Sequence, residues 1–173
     1  MTAAALKAGA LLLVAAVVQV SLLSTIDLAG AVPDLLLVTL LCVALLRGAV
    51  FGAAAGFVAG LIVDTAQLQT LGVTSLLFTV GAYWIGRYGE TTGRDRGHAP
   101  YLSVFVVTIL YAIGALLLHY LLGQGGSARA VLIDAILPSL FFNLLLTAPA
   151  YALVRRLLRP QERLEAQEVR LLG

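Results

Sequence analysis

Four carboxylates stand beside long apolar stretches of this sequence: Asp27, Asp34, Asp64 and Asp134. An ionisable group at membrane depth is costly and marks function by default, although the cost falls near the interface. Asp64 and Asp134 would suit an aspartyl dyad, in which two close carboxylates share a proton and activate water. The Asn and Arg signatures that accompany such intramembrane peptidase chemistry are missing around both residues, which weighs against an enzyme. Asp34 follows Pro33 at the start of an apolar run, where proline suits the first helical turn and a negative charge favours the helix N-terminus. Helix initiation is the expected role of Asp34, with a partner contact as the other reading; Asp27 reads as a wet loop residue.

No other chemistry is assembled. Ser75, Ser103, Ser139, His98 and His119 are available, but no nucleophile motif surrounds any serine, and His119 beside Tyr120 reads as an interface residue. Phosphate loops and metal-ligand spacings are absent. The single cysteine, Cys42, lies in an apolar run, forms no intrachain disulfide and reads as a small packing residue. No catalytic residue, cofactor or metal is therefore expected. Gln19, Asn143, Thr39, Thr79 and Thr108 sit inside apolar stretches and are expected to hydrogen-bond between helices. Pro138 and Pro149 are expected to kink or open the last of these stretches.

The most ordered pattern is Gly48, Gly52, Gly56 and Gly60, three consecutive small-xxx-small units. Without side chains there, a neighbouring backbone approaches closely, and packing replaces the hydrophobic drive that lipid removes. Four residues turn a helix by about 400°, so the stripe drifts ~40° per step around its helix. Asp64 continues the same row and should face protein or a polar cavity.

These residues must be positioned by membrane helices. Hydrophobic residues make up 61% of the 173 and charged residues 12%, against roughly 45–50% apolar and about 25% charged in soluble domains. A soluble globule of this size could not cover its surface with so few charges. The net charge of +2 and the scattered Lys and Arg residues argue against nucleic acid as a partner. Six apolar stretches are read at residues 8–26, 33–46, 48–63, 71–87, 101–122 and 131–154, against about 20 residues needed to span a bilayer. The second and third are short, and Arg47-Gly48 marks a turn between them. They read as a hairpin, tilted or partly re-entrant, held inside the other helices.

Orientation follows from positive residues flanking the spans. With the N-terminus inside, Lys7, Arg47, Arg87, Arg94, Arg96, Arg155, Arg156, Arg159, Arg163 and Arg170 are all cytoplasmic, and only Arg129 falls outside. Both termini are therefore expected in the cytoplasm. Tyr83, Trp84, Tyr88, Tyr101 and Tyr151 lie near inner ends and Tyr120 near an outer one, as interfacial aromatics do. A cleaved signal peptide, with Lys7 as its charged region and Ala29-Gly30-Ala31 as the cleavage site, is the alternative for the first stretch; its uncharged run exceeds the usual roughly 7–15 residues. Residues 89–100 read as the main cytoplasmic loop and 123–128 as its outer counterpart. The expected organisation is one transmembrane domain, residues 1–158, followed by a cytoplasmic tail, 159–173, that is either an amphipathic surface helix or disordered.

The run Val32-Pro33-Asp34-Leu35-Leu36, then Leu46-Arg47-Gly48, then Gly52, Gly56 and Gly60-Leu61-Ile62-Val63-Asp64, then Leu71-Gly72 and Gly86-Arg87, resembles the rod shape-determining protein MreD family. Ile62 and Val63 stand where leucines are more usual, leaving the apolar character unchanged. The resemblance implies an all-α, polytopic inner-membrane fold similar to the substrate-binding subunits of vitamin transporters. It also implies a non-enzymatic subunit of the cell-wall elongation machinery that maintains cell shape. Its partners by resemblance are the bitopic protein MreC, with MreB, RodA and a penicillin-binding protein.

On this reading Pro33, Asp34, Arg47, Gly48, Gly52, Gly56, Gly60, Asp64 and Gly72 form a packed intramembrane surface on which a single MreC helix or a second copy of the chain docks. The competing reading is a small-solute binding or transport protein, suggested by the prolines and the fold analogy. A transporter should place several polar groups near the midplane of its helices, whereas charges here lie mostly near the ends.

Overall fold

The computed structural model describes residues 2–21, 33–68, 70–92, 96–121 and 136–171. Among them the chain is helical throughout, with six helices on the six apolar stretches: α1 (Thr2–Ser21), α2 (Leu35–Arg47), α3 (Ala49–Ala66), α4 (Val73–Thr92), α5 (Ala99–Leu121) and α6 (Ile136–Leu171). Three contain segments long and apolar enough to cross a membrane: Ala49–Ala66, Ala99–Leu118 and Ile136–Leu158. Two shorter apolar segments, Ala5–Ser21 and Leu35–Arg47, accompany them. Asp27, Asp134, Arg94, Arg129, the Ala29-Gly30-Ala31 stretch and residues 123–128 lie outside the described residues. The side chains of His119, Arg159, Arg163 and Arg170 do too.

The short second helix is the axis of the fold. Every residue from Leu36 to Leu46 is buried, and α2 touches α1, α3, α4, α5 and α6. A helix apolar on all sides can sit only where every side is covered. Its 13 residues rise about 20 Å, well short of a roughly 30 Å hydrocarbon core. Both of its ends therefore stop among protein groups.

Around this axis the usual distribution is inverted. Gln19, Thr39, Asp64, Thr74, Ser75, Ser103, Thr108, Asn143 and Thr147 are buried, whereas Val14, Val50, Phe57, Val58, Trp84, Phe105, Leu110, Leu117, Phe141 and Leu145 are exposed. Water would penalise so large an apolar surface; hydrocarbon accepts it and instead demands that polar groups be satisfied internally.

Two expectations need correction. Residues 89–100 are not all loop: α4 continues to Thr92 and α5 begins at Ala99, because Gly89 and Glu90 are used in packing and capping, and Pro100 is tolerated in a first helical turn. Pro33 is not in the first turn of α2; Asp34 is its N-cap, so Pro33 precedes the helix. One helix of 36 residues, Ile136 to Leu171, contains both Pro138 and Pro149. Pro138 falls in its first turn, where no helical N–H is lost. The same helix passes position 159 without a break.

Candidate functional site

Among the described residues α3 and α4 are the most extensively packed pair of helices, and the glycine row brings them together. A Cβ added at Gly52 would lie 2.8 Å from the Ala82 carbonyl oxygen and 2.7 Å from the Ala44 Cβ. At Gly56 it would lie 2.6 Å from the Phe78 carbonyl oxygen, and at Gly60 it would meet the Ser75 backbone. Down α3 the row thus meets successively earlier residues of α4, as an antiparallel pair must. The opposing surface is also small: a Cβ at Gly86 would lie 2.5 Å from the Ala49 nitrogen, and one at Gly89 would meet the Leu45 carbonyl. Ser75 Oγ adds a hydrogen bond to the Phe57 carbonyl at 2.9 Å.

This geometry corrects the expectation that an incoming helix docks on the row. The chain's own α4, with part of α2, already fills it, and no backbone can come closer. The small-xxx-small spacing marked a close-packing face; the covering helix is intramolecular.

Asp64 completes the row at one end of the hairpin. It is fully buried, and its carboxylate accepts from three backbone N–H groups: Gly72 to Oδ2 at 2.8 Å, Thr74 to Oδ1 at 3.2 Å and Ser75 to Oδ2 at 3.4 Å. These are orphan donors at the start of α4, which no intrahelical carbonyl can reach. A negative charge there also meets the positive end of the helix dipole. Gly72 has φ +97°, a left-handed conformation that suits glycine and turns its N–H toward the carboxylate. Asp64 is thus an anchor, with both oxygens engaged, rather than a free acid awaiting a dyad partner.

The other end mirrors this arrangement with a residue that sequence reasoning missed. Glu90, near the end of α4, accepts the Ala49 N–H at 2.8 Å through Oε1, capping α3. Its Oε2 faces Arg87 Nη1 at 3.4 Å. Gly48 joins α2 to α3 at φ +94°, and a Cβ there would collide with the Glu90 carboxylate. The available signal was Gly86-x-x-x-Glu90, which repeats the Gly60-x-x-x-Asp64 pattern. Arg47, the last residue of α2, sits favourably at the negative end of that helix, with its guanidinium carbon 5.3 Å from the Phe51 ring centre.

A second polar cluster holds the start of α2. The Asp34 side chain accepts from the Leu37 N–H at 2.9 Å, the initiating role expected of it. Gln19 of α1 accepts the Leu35 N–H at 2.8 Å and donates to the Pro33 carbonyl at 3.0 Å. Asn143 of α6 accepts the Asp34 N–H at 2.8 Å and donates to Thr108 Oγ1 of α5 at 3.3 Å. Gln19, Asn143 and Thr108 therefore bond between elements, as their types and positions suggested. Non-helical backbone at Pro33 and Asp34 is tolerable at depth because side chains replace water there.

The basic side chains gather at one end, with Glu90 among them. Lys7, Arg87, Arg96, Arg155 and Arg156 are exposed and Arg47 half-buried, all at the end of the bundle where α2 stops and α3 starts; Asp34 and Asp64 lie at the other. Among the described residues no cluster of His, Cys, Asp and Glu could hold a metal ion.

No curated protein and no solved structure matches the chain. The family model described as rod shape-determining protein MreD matches residues 4–160. That match takes in the hairpin, both capping carboxylates and the polar cluster at the start of α2, and the chain belongs to the rod shape-determining protein MreD family.

Proposed function

We propose that this chain is a non-enzymatic, six-span subunit of the bacterial inner membrane, with both termini cytoplasmic, that maintains cell shape by scaffolding an MreC-like bitopic protein of the cell-wall elongation machinery. MreB, RodA and a penicillin-binding protein join through that assembly, and a second copy of the chain is the other candidate neighbour. The observation that carries the reading is the use of Asp64: the residue best placed for intramembrane chemistry binds three backbone amides of its own chain. A carboxylate held in this way makes a rigid hairpin, which is what a scaffold requires and what a general acid or base is not.

The docking surface is then the outward side of the hairpin, where Phe57, Val58, Val80 and Trp84 are exposed. The solute-binding alternative, including the likeness to vitamin-transporter subunits, gains no support from Gln19, Asn143 and Asp34. They are engaged in holding α2.

Co-purification of the MreC-like partner from detergent extracts tests the reading. Val58→Trp together with Val80→Trp should reduce partner recovery at unchanged expression. Full recovery with this pair would remove the hairpin face as the docking surface. Failure of the native chain to recover any such partner would remove the scaffold itself.

A further inference from the structure

We propose that the seam between α1 and α6 at the basic end binds an anionic phospholipid, with Lys7, Arg155 and Arg156 holding its phosphate. The placement follows from the polar cluster at the opposite end. Gln19 of α1 and Asn143 of α6 bond to adjacent stretches of backbone at the start of α2, which sets these two helices at a common level. Lys7 lies twelve residues back along α1 from Gln19, and Arg155 twelve residues on along antiparallel α6 from Asn143. Twelve residues rise about 18 Å. The two side chains therefore start from the same height, on helices that touch.

The seam has the two halves a lipid needs. Lys7, Arg155 and Arg156 are exposed, and among the described residues none has an ion-pair partner. Their neighbours Ala8 and Val154 are fully buried, so Lys7 and Arg155 each stand beside the packed face of their helix. Leu13, Val14 and Val17 on α1 and Leu145 and Leu153 on α6 are exposed along the rest of these helices. Hydrocarbon chains would cover them while the phosphate meets the cations. Basic residues at a membrane surface attract anionic lipid, and arginine adds paired N–H donors suited to phosphate oxygens.

The test uses the full chain in neutral detergent micelles doped with either phosphatidylglycerol or phosphatidylcholine, with retained lipid read by native mass spectrometry. The native chain should retain phosphatidylglycerol preferentially, and the preference should fall as salt rises. Lys7→Gln with Arg155→Gln and Arg156→Gln should weaken that preference by about fivefold for each charge removed. Arg155→Lys with Arg156→Lys should keep most of it. Equal retention of the two lipids by the native chain would overturn the proposal, as would a salt-independent preference or one that survives loss of all three charges. Equal retention by the native chain overturns the proposal whether or not the triple variant folds, and Arg87→Gln with Arg96→Gln, at the same end but off this seam, should leave the preference largely intact.

Discussion

Asp64 and Glu90 occupy equivalent places at opposite ends of one antiparallel helix pair. Asp64, near the end of α3, receives the first N–H groups of α4; Glu90, near the end of α4, receives the first N–H of α3. Each carboxylate stands four residues beyond a glycine, Gly60 or Gly86, where a Cβ would strike the opposing backbone. Close approach and capping therefore depend on one another: only helices this near can reach across with side chains as short as these.

Removing the Asp64 acceptor should be among the most damaging single changes in the hairpin. Asp64→Ala leaves three donors unpaired, two of them buried, and orphaned buried polar groups cost about 1–3 kcal/mol each. Asp64→Asn keeps one acceptor oxygen and should be less harmful. Thermal unfolding in detergent, followed by helical circular dichroism, should rank native above Asn above Ala; an Ala variant as stable as the native chain would refute the anchoring role.

Glu90→Ala should destabilise by a smaller amount, about 0.5–2 kcal/mol as for loss of a helix N-cap, since one amide loses its acceptor instead of three. The two caps lie at opposite ends of α3, about 27 Å apart for its 18 residues. Distant sites add within about 0.5 kcal/mol. The Asp64→Ala and Glu90→Ala double variant should thus show the sum of the single losses, and strong non-additivity would mean that the hairpin opens as a unit from either end.

Glycine substitutions separate packing from helix propensity. Gly56→Ala places a methyl group 2.6 Å from the Phe78 carbonyl oxygen, so α3 and α4 must part, with a cost of about 1–3 kcal/mol typical of overpacking. Gly9→Ala on α1 meets nothing within 4 Å and should be neutral or slightly stabilising, because alanine favours a helix by roughly 0.5–1 kcal/mol over glycine. Equal effects at the two positions, measured by resistance to unfolding in detergent, would contradict the close approach.

Asn143→Ala should destabilise by about 1–3 kcal/mol, since the Asp34 N–H loses its acceptor at depth. Thr108→Val removes only the partner of the Asn143 amide and should cost less. Hydrogen exchange at the start of α2 should accelerate in the first variant more than in the second; the reverse order would show that Asn143 is held there for another reason.

Much of the positioning was legible in residue types. Among the described residues each of the six apolar stretches holds a helix, Asp34 starts α2, and Gln19 and Asn143 bond between elements because an amide inside an apolar run has little else to do. The glycine spacing identified a close face but could not name its occupant, since small residues specify distance and not identity. Glu90 was hidden among mixed charges beyond Arg87, and its role exists only once α4 lies antiparallel to α3. The central place of α2 was equally hidden: a run such as Leu35 to Leu46, apolar on every side, has no periodicity from which to read a preferred face.

The bond between Asp34 and Asn143 joins residues 109 positions apart, and this separation bears on how the protein is made. When α2 leaves the ribosome, the side chain that will receive its Asp34 amide has not yet been synthesised. The nascent chain must hold an incomplete helix end near the interface, or shielded by insertion factors, until α6 arrives. The start of α2 can be completed only once Asn143 on α6 has joined the bundle, so a product truncated before Asn143 should leave the Asp34 amide without this acceptor.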